Sequence, residues 1–260
     1  MTLAQQPAVE LRPNFLAAPI ETVAPAKPAL VPNATLLARE DVTESMAAFT
    51  FAVDSSLERY RPGQYVSLGV FDGSGWVQRP YSVVSVDGAS DRVELFIRQV
   101  PGGALSPRLW SLPVGARVRV GPPKGLFVLD EDDQRPRLFI GTGTGLAPLL
   151  SMLDEMVSRA DDIPSALVHG VSYRDELAYG YRIAAWMATG LPLLYRPCVS
   201  RPSDGRNEGW RGLTGRAEVA VARALEQMPP LAGGVAYLCG NPSMIEACSL
   251  VLRQAGMAEA

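Results

Sequence analysis

The apolar positions of residues 34–132 fall in short runs that suit β-strands better than helices. Apolar and polar side chains alternate within the runs, and turn residues separate them, which is typical of half-buried antiparallel strands. Six closely spaced strands predict a small antiparallel β-barrel, with one short helix over residues 105–112. The predicted strands are residues 35–39, 47–53, 64–70, 77–86, 92–100 and 117–120.

The spacing of apolar positions changes after residue 136, where strands begin to alternate with helices. Leu149, Leu150, Leu153, Met156 and Val157 repeat at helical spacing directly after a strand and a glycine-rich turn. Alternation of this kind predicts a doubly wound parallel sheet, so the expected fold class is a six-stranded barrel followed by an α/β domain. The predicted strands are residues 137–140, 166–169, 192–199 and 235–238, and the predicted helices are 146–159, 175–187, 218–227 and 242–254.

Three segments are therefore expected along the chain. Residues 1–33 are rich in proline and alanine and show no sustained period, so we interpret them as an extension. Residues 34–132 form the predicted barrel domain and residues 133–260 the predicted α/β domain. The boundary lies in a charged stretch that ends at Pro136.

Composition narrows the class of protein. The chain has 260 residues, of which 47% are hydrophobic and 20% charged, and its net charge of −3 gives no support for a nucleic-acid partner. The sequence shows neither a bilayer-spanning apolar run nor a signal peptide, so we expect a cytoplasmic monomer with no membrane partner. Cys198, Cys239 and Cys248 are too dispersed for a metal site or a plant-type [2Fe–2S] cluster. Any one-electron carrier is therefore expected to be a separate molecule.

The stretch Arg79-Pro80-Tyr81-Ser82 is the first with a chemical signature. An arginine can pair with a diphosphate, a tyrosine can stack on a ring system, and a serine can hydrogen-bond the edge of that ring. Taken alone, the stretch is more typical of a barrel strand with a surface salt bridge. The later stretch Pro101-Gly102-Gly103-Ala104-Leu105-Ser106 enters a predicted helix and allows backbone amides to approach a phosphate. Together with Arg79 it favours a flavin nucleotide.

A second nucleotide site is expected in the α/β half. The turn Gly141-Thr142-Gly143-Thr144-Gly145 follows a strand and opens a helix, where a dinucleotide diphosphate binds, although it is neither a full G-x-G-x-x-G nor a Walker loop. Cys239 ends the fourth strand, which should flank the same crevice as the first. An acid that would favour NAD is expected at the end of the second strand, but residues 169–174 contain none, and Arg201 and Arg216 follow after the third strand. These arginines favour NADP, although surface arginines remain the alternative. The single histidine, His169, is expected to be structural.

These motifs, in this order, resemble the ferredoxin–NADP reductase family, and in particular its bacterial ferredoxin/flavodoxin–NADP reductase branch. The similarity covers roughly residues 34–255. It implies FAD on the barrel and NADP(H) on the α/β domain, with Tyr81, Ser82 and Cys239 as the catalytic residues. The implied cofactor-binding residues are Arg79, Tyr81, Ser82, Gly103, Ala104, Leu105, Ser106, Thr142, Gly143, Thr144, Gly145, Arg174, Arg201, Arg216, Gly240 and Met244.

The resemblance implies a flavoprotein oxidoreductase that moves electrons between NADP(H) and a ferredoxin or flavodoxin, by hydride transfer between nicotinamide C4 and flavin N5. A free-flavin reductase, an oxygenase reductase component and a catalytically idle redox sensor stay open as alternatives. Ser172 departs from the family pattern, since bacterial members usually carry arginine there, and Arg174 is the candidate replacement. The sequence stops at Ala260 without the usual aromatic tail, so we expect no C-terminal lid over the flavin.

Overall fold

The computed structural model describes residues 30–55, 57, 60–86 and 91–257, and residues 31–260 form one compact unit. The predicted extension therefore lies almost wholly outside the described residues. The predicted boundary between residues 132 and 133 stays a prediction, because the barrel and the sheet pack together within that unit. Within the described part of the chain, no helix is long and apolar enough to cross a membrane.

Six antiparallel strands close into the predicted barrel in the order β1-β2-β5-β4-β3-β6, with β1 pairing with β6. Alternate residues point inward, so that Phe49, Leu68 and Leu95 are buried in the barrel interior. A single short helix, α1, covers one part of the barrel. The elements are β1 (Ala34–Thr43), β2 (Met46–Val53), β3 (Tyr65–Phe71), β4 (Trp76–Val86), β5 (Arg92–Arg98), α1 (Ser106–Ser111) and β6 (Arg117–Val120).

The second half is a five-stranded parallel sheet in the order β10-β9-β8-β7-β11. Two helices pack on each face, so the expected doubly wound architecture is confirmed. Strands β7 and β11 are neighbours although they are first and last in sequence, which places the topological switch point between them. The elements are β7 (Arg137–Thr142), α2 (Leu146–Ser158), β8 (Ser165–Val171), α3 (Gly180–Ala188), β9 (Leu193–Val199), β10 (Leu213–Thr214), α4 (Ala217–Gln227), β11 (Val235–Cys239) and α5 (Pro242–Gln254).

Helix α3 begins five residues later than the sequence pattern predicts. The Glu176 carboxylate accepts hydrogen bonds from the backbone amides of Ser172 at 3.0 Å and Tyr173 at 3.4 Å, which closes a separate 3₁₀ turn. Tyr179 then adopts a left-handed conformation with φ of 61°, which a helix cannot continue through. The two-residue strand β10 was not predicted, because a strand of two residues has no periodicity to detect.

Helix α2 lies between the barrel and the sheet and is buried on nearly all sides. Its apolar side chains belong to one core with Met46, Val84 and Phe96 of the barrel and Phe139 of the sheet. A hydrogen bond supports this contact, since the Gly63 amide donates to the α2 side chain Ser151 at 2.8 Å. The barrel and the sheet therefore share a continuous apolar core.

His169 lies on β8 and its side chain is fully buried. Its Nδ1 is 3.2 Å from the Tyr195 hydroxyl, and its Nε2 has no hydrogen-bond partner among the described residues. Burial lowers the pKa of His169 from its ordinary 6.5 to about 4, because the charged imidazolium would lose its hydration. The folded protein therefore holds this histidine neutral.

We predict that the folded state loses stability as the pH falls from about 6.5 towards 4. In this window the unfolded chain binds a proton at His169 that the folded chain excludes, which costs up to about 3 kcal/mol at about 1.4 kcal/mol per pKa unit. Urea unfolding at several pH values, with FAD in excess, would measure the effect. The advantage of wild type over His169→Gln should shrink as the pH falls, and parallel curves for the two proteins would contradict the prediction.

Candidate active site

The Arg79–Ser82 stretch lies in strand β4 of the barrel. Tyr81 and Ser82 both line a large cavity between the barrel and the sheet. Tyr81 is half-buried, and this burial raises the pKa of its phenol, so the ring is neutral at physiological pH. Arg79 is exposed and lies outside the lining, where its guanidinium donates to the carbonyl of Gln78 at 2.7 Å. It has no carboxylate partner among the described residues.

The predicted phosphate loop at residues 101–106 lies outside the cavity lining. Gly102 adopts φ of 71°, and the amide of Gly103 donates to the Val100 carbonyl at 2.9 Å, which closes a tight turn. The Ser106 hydroxyl accepts from the Val100 amide at 2.9 Å, and the Leu105 side chain is buried in the barrel core.

Two backbone amides of this loop, at the exposed Ala104 and at Leu105, are free to bind a ligand. The amides of Ala104 and Leu105 donate to no acceptor in the described part of the chain. These two free donors fit a diphosphate, and the exposed Arg79 is a candidate cation on the same domain.

The glycine turn joins β7 to α2 at the carboxyl edge of the sheet. Gly143 has φ of 53°, and a Cβ on Gly145 would lie 2.3 Å from the Cys239 carbonyl oxygen. Gly240 has φ of 153°, and a Cβ there would lie 2.2 Å from the Thr142 hydroxyl oxygen. The backbones after β7 and β11 therefore approach more closely than any side chain permits. This close contact brings the loops after β7 and β11 to one cavity, as we expected for the first and fourth predicted strands of the sheet.

Cys239 pairs in register with Gly141 and lines the cavity beside the glycine turn. Burial raises the pKa of its thiol, so the sulfur is neutral and a poor nucleophile. A neutral, polarisable sulfur suits packing against a ring. Met244, in the first turn of α5, lines the same cavity.

The arginines of the turns after β8, β9 and β10 divide into two groups. Arg201 and Arg216 line the cavity, and Arg201 donates to the Tyr173 hydroxyl at 2.5 Å. Arg174, in contrast, donates to the carbonyl of Glu208 and does not line the cavity. Arg206 stacks 3.7 Å above the Tyr173 ring and forms an ion pair with Asp175.

The whole cavity has a volume of about 860 Å³, which is in the range of sites for large cofactors. It joins Tyr81 and Ser82 of the barrel to the crevice of the sheet. The lining includes these predicted residues: Tyr81, Ser82, Thr142, Gly143, Thr144, Gly145, Arg201, Arg216, Cys239, Gly240 and Met244. Arg79, Gly103, Ala104, Leu105, Ser106 and Arg174 lie outside it.

Sequence reasoning missed Arg98 and Glu176, which also line the cavity. The one available signal was strand alternation, which places Arg98 on the same face of β5 as Glu94 and Phe96. That signal identifies a face of the barrel, but not the domain that packs against it.

The comparisons with known proteins agree with this geometry. The oxidoreductase FAD-binding domain family matches residues 33–129, and the oxidoreductase NAD-binding domain family matches residues 139–249. The chain is 31% identical over 234 residues to the ferredoxin–NAD(P)(+) reductase component of the naphthalene 1,2-dioxygenase/salicylate 5-hydroxylase systems of Ralstonia sp., covering 88% of this chain and 67% of that protein. It is 29% identical to ferredoxin–NADP reductase B of Sorangium cellulosum, covering 72% and 76%.

Two solved structures are similar to the fold. One is the Amycolatopsis cytochrome P450 reductase GcoB, with a TM-score of 0.76, 29% identity and coverage of 87% of this chain and 66% of that chain. The other is a ferredoxin NADP+ reductase from Neisseria gonorrhoeae with bound FAD and NADP, with a TM-score of 0.71, 26% identity and coverage of 87% and 92%. The chain belongs to the ferredoxin–NADP reductase family and is an FAD- and NAD(P)-binding oxidoreductase. It spans 56% of one relative, the toluate 1,2-dioxygenase electron transfer component of Pseudomonas putida.

We predict that Gly145→Ala weakens dinucleotide binding at least about 10-fold, because its Cβ would force the glycine turn away from the backbone after β11. FAD content should stay near wild type, since the turn belongs to the sheet. Titration with NADP+ and NAD+, followed in the flavin spectrum, would measure the loss. Gly180→Ala is the matched control because its Cβ would meet nothing within 4 Å. Unchanged dinucleotide affinity in Gly145→Ala would contradict this account of the turn.

Proposed function

We propose that this chain is a ferredoxin/flavodoxin–NADP(+) reductase that exchanges electrons between NADP(H) and a separate one-electron carrier protein. The observation that carries the proposal is the single cavity that joins Tyr81 and Ser82 of the barrel to Thr144 and Cys239 of the sheet. Residues suited to a flavin and residues suited to a nicotinamide therefore share one space. Free cysteines in buried or half-buried positions support a reducing cytoplasm as the proposed setting. The working form we propose is the monomer.

The proposed contribution of the chain is placement. Bound FAD would supply the exchange between a hydride and single electrons, which is chemistry of the cofactor itself. Tyr81 would pack on the flavin ring and Ser82 would hydrogen-bond the ring edge. Cys239 would bring its neutral thiol against the nicotinamide. Hydride transfer requires the reacting atoms to be held about 3–3.5 Å apart, so the rigid packing of α2 between the domains supports the proposal.

The choice of NADP over NAD rests on uncompensated charge. Arg201 donates to the Tyr173 hydroxyl, and neither Arg201 nor Arg216 forms an ion pair among the described residues. Both line the cavity, where an anionic group would neutralise them. Arg174 lies outside the cavity lining, and Arg206 lies outside it too and is paired with Asp175, so we assign the 2′-phosphate to Arg201 and Arg216.

We predict that Arg201→Ala and Arg216→Ala each weaken NADPH binding about 10- to 100-fold, because each variant removes a charge-assisted contact. NADH binding should change less than about 3-fold, since NADH has no 2′-phosphate. Steady-state KM values for both nucleotides would provide the measurement. Arg223→Ala is the control, because Arg223 lies outside the cavity lining and forms an ion pair with Glu226 on the surface of α4. Equal losses for NADPH and NADH would exclude the 2′-phosphate role.

A reductase component of an oxygenase is a second candidate function, and the names of the relatives favour it. These relatives include the toluate 1,2-dioxygenase electron transfer component and the reductase component DmpP of phenol 2-monooxygenase from Pseudomonas sp., which is 29% identical over 255 residues. The Ralstonia relative is itself described as a ferredoxin reductase component of such a system. The two candidates therefore share the flavin chemistry and differ in the protein that accepts the electrons.

The decisive experiment is anaerobic mixing of the FAD-loaded protein with NADPH, followed by candidate acceptors. We expect rapid flavin bleaching, then saturable reduction of a [2Fe–2S] ferredoxin or a flavodoxin and slow reduction of free FMN. Absence of bleaching would favour an idle redox sensor, and faster reduction of free FMN would favour a free-flavin reductase. Exclusive reduction of a ferredoxin from an oxygenase system would favour the second candidate.

A further inference from the structure

We propose that Arg206 is a positioning residue for NADPH specificity. It fixes the ring of Tyr173, and the hydroxyl of that ring in turn holds the guanidinium of Arg201 at the cavity. This role rests on the proposed function, which assigns Arg201 to the 2′-phosphate. It makes the choice of nucleotide depend on the loop of residues 200–212, between β9 and β10, and on a side chain that lies outside the cavity lining.

The direction of the Arg201 side chain depends on Tyr173. Arg201 is exposed, and an exposed arginine samples many rotamers unless a contact holds it. Its Nη1 donates to the Tyr173 hydroxyl at 2.5 Å, and its guanidinium carbon lies 5.3 Å from the centre of the same ring. An arginine has five N–H donors, so further donors of Arg201 remain for a phosphate. A Tyr173 ring that is itself fixed therefore presents these donors at one place.

Arg206 fixes that ring by stacking on it. Its guanidinium carbon lies 3.7 Å from the ring centre. The same guanidinium pairs with both carboxylate oxygens of Asp175, since Nη2 donates to them at 2.7 and 2.9 Å and Nε donates to Oδ2 at 3.1 Å. The planar group is thus oriented by the carboxylate while it covers the ring. Asp175 also balances the charge of Arg206, which leaves Arg201 as the uncompensated cation beside Tyr173.

The backbone on both sides of this stack is fixed by Asn207. An exposed ion pair alone contributes little, but Asn207 is buried directly beside Arg206 in the chain. Its Nδ2 donates to the carbonyls of Ser172 at 3.0 Å and Arg201 at 2.8 Å, and its Oδ1 accepts the amide of Arg174 at 2.7 Å. The loop that carries both arginines is therefore bound to the turn that carries Tyr173, so Arg206 meets the ring from an anchored position.

Steady-state kinetics with NADPH and NADH, on the FAD-loaded protein with ferricyanide as electron acceptor, test this role. Arg206→Gln should raise the KM for NADPH about 3- to 10-fold with kcat nearly unchanged, and should change the KM for NADH less than about 2-fold. The NADH values also report folding, because a damaged site loses both nucleotides. Arg211→Gln is the matched control, since Arg211 is an exposed arginine of the same loop, outside the cavity lining.

A double-mutant cycle separates positioning from direct contact. Arg201→Ala/Arg206→Gln should lose no more NADPH affinity than Arg201→Ala alone, because Arg206 acts through Arg201. Losses that add would overturn the positioning role. Equal losses for NADPH and NADH in Arg206→Gln would also overturn it and make Arg206 a structural residue of its loop. Wild-type kinetics in Arg206→Gln would overturn the role of Arg206 while leaving Arg201 assigned. Wild-type NADPH kinetics in Arg201→Ala would instead overturn the proposed 2′-phosphate site itself.

Discussion

The apolar contact of α2 with both domains is the constraint on which the rest of the structure depends. Met46, Val84 and Phe96 of the barrel and Phe139 of the sheet pack around one helix in a continuous core. Burial of this kind contributes about 25 cal/mol per Å² of apolar surface, and close-packed interiors leave little room to slide. A barrel and a sheet joined in this way meet in one arrangement, so the distance across the cavity between them is a property of the fold.

Polar contacts around this core add directional bonds to the apolar packing. The Tyr179 hydroxyl donates to Glu94 of β5 at 2.6 Å, and Arg98 pairs with Glu176 on the cavity side of the same strand. Burial, reinforced by the neighbouring Glu94 charge, raises the pKa of Tyr179 far above its ordinary value, so the phenol stays a donor at any physiological pH. Directional bonds on both sides of the core therefore align the barrel with the crevice, and the left-handed backbone of Tyr179 is held by the contact that its side chain makes.

Local signals in the sequence were sufficient for the fold and for the motifs. Strand alternation, helical spacing and glycine turns depend on neighbours within a few residues, and these predicted the six barrel strands, the parallel sheet and the glycine turn beside Cys239. The expectation that the first and fourth predicted strands of the sheet flank one crevice followed from the general rule that ligands bind at the switch point of an open sheet. The late start of α3 escaped prediction because Glu176, a good helix former, uses its carboxylate to bond two preceding amides instead.

The direction in which each long side chain points could not be predicted from the sequence, and the arginines show why. Arg174 is two residues from Ser172, which makes it the natural replacement in sequence, yet its guanidinium contacts the carbonyl of Glu208, 34 positions away. Arg98 is 78 positions from its partner Glu176 and belongs to a different domain. A guanidinium at the end of four rotatable bonds goes to the acceptor that the tertiary fold presents, and no spacing rule encodes that acceptor. The positions of the charged groups in this cavity are therefore determined by long-range packing. The spacing of arginines along the chain can indicate which domain binds the ligand, but it does not show which arginine contacts the ligand.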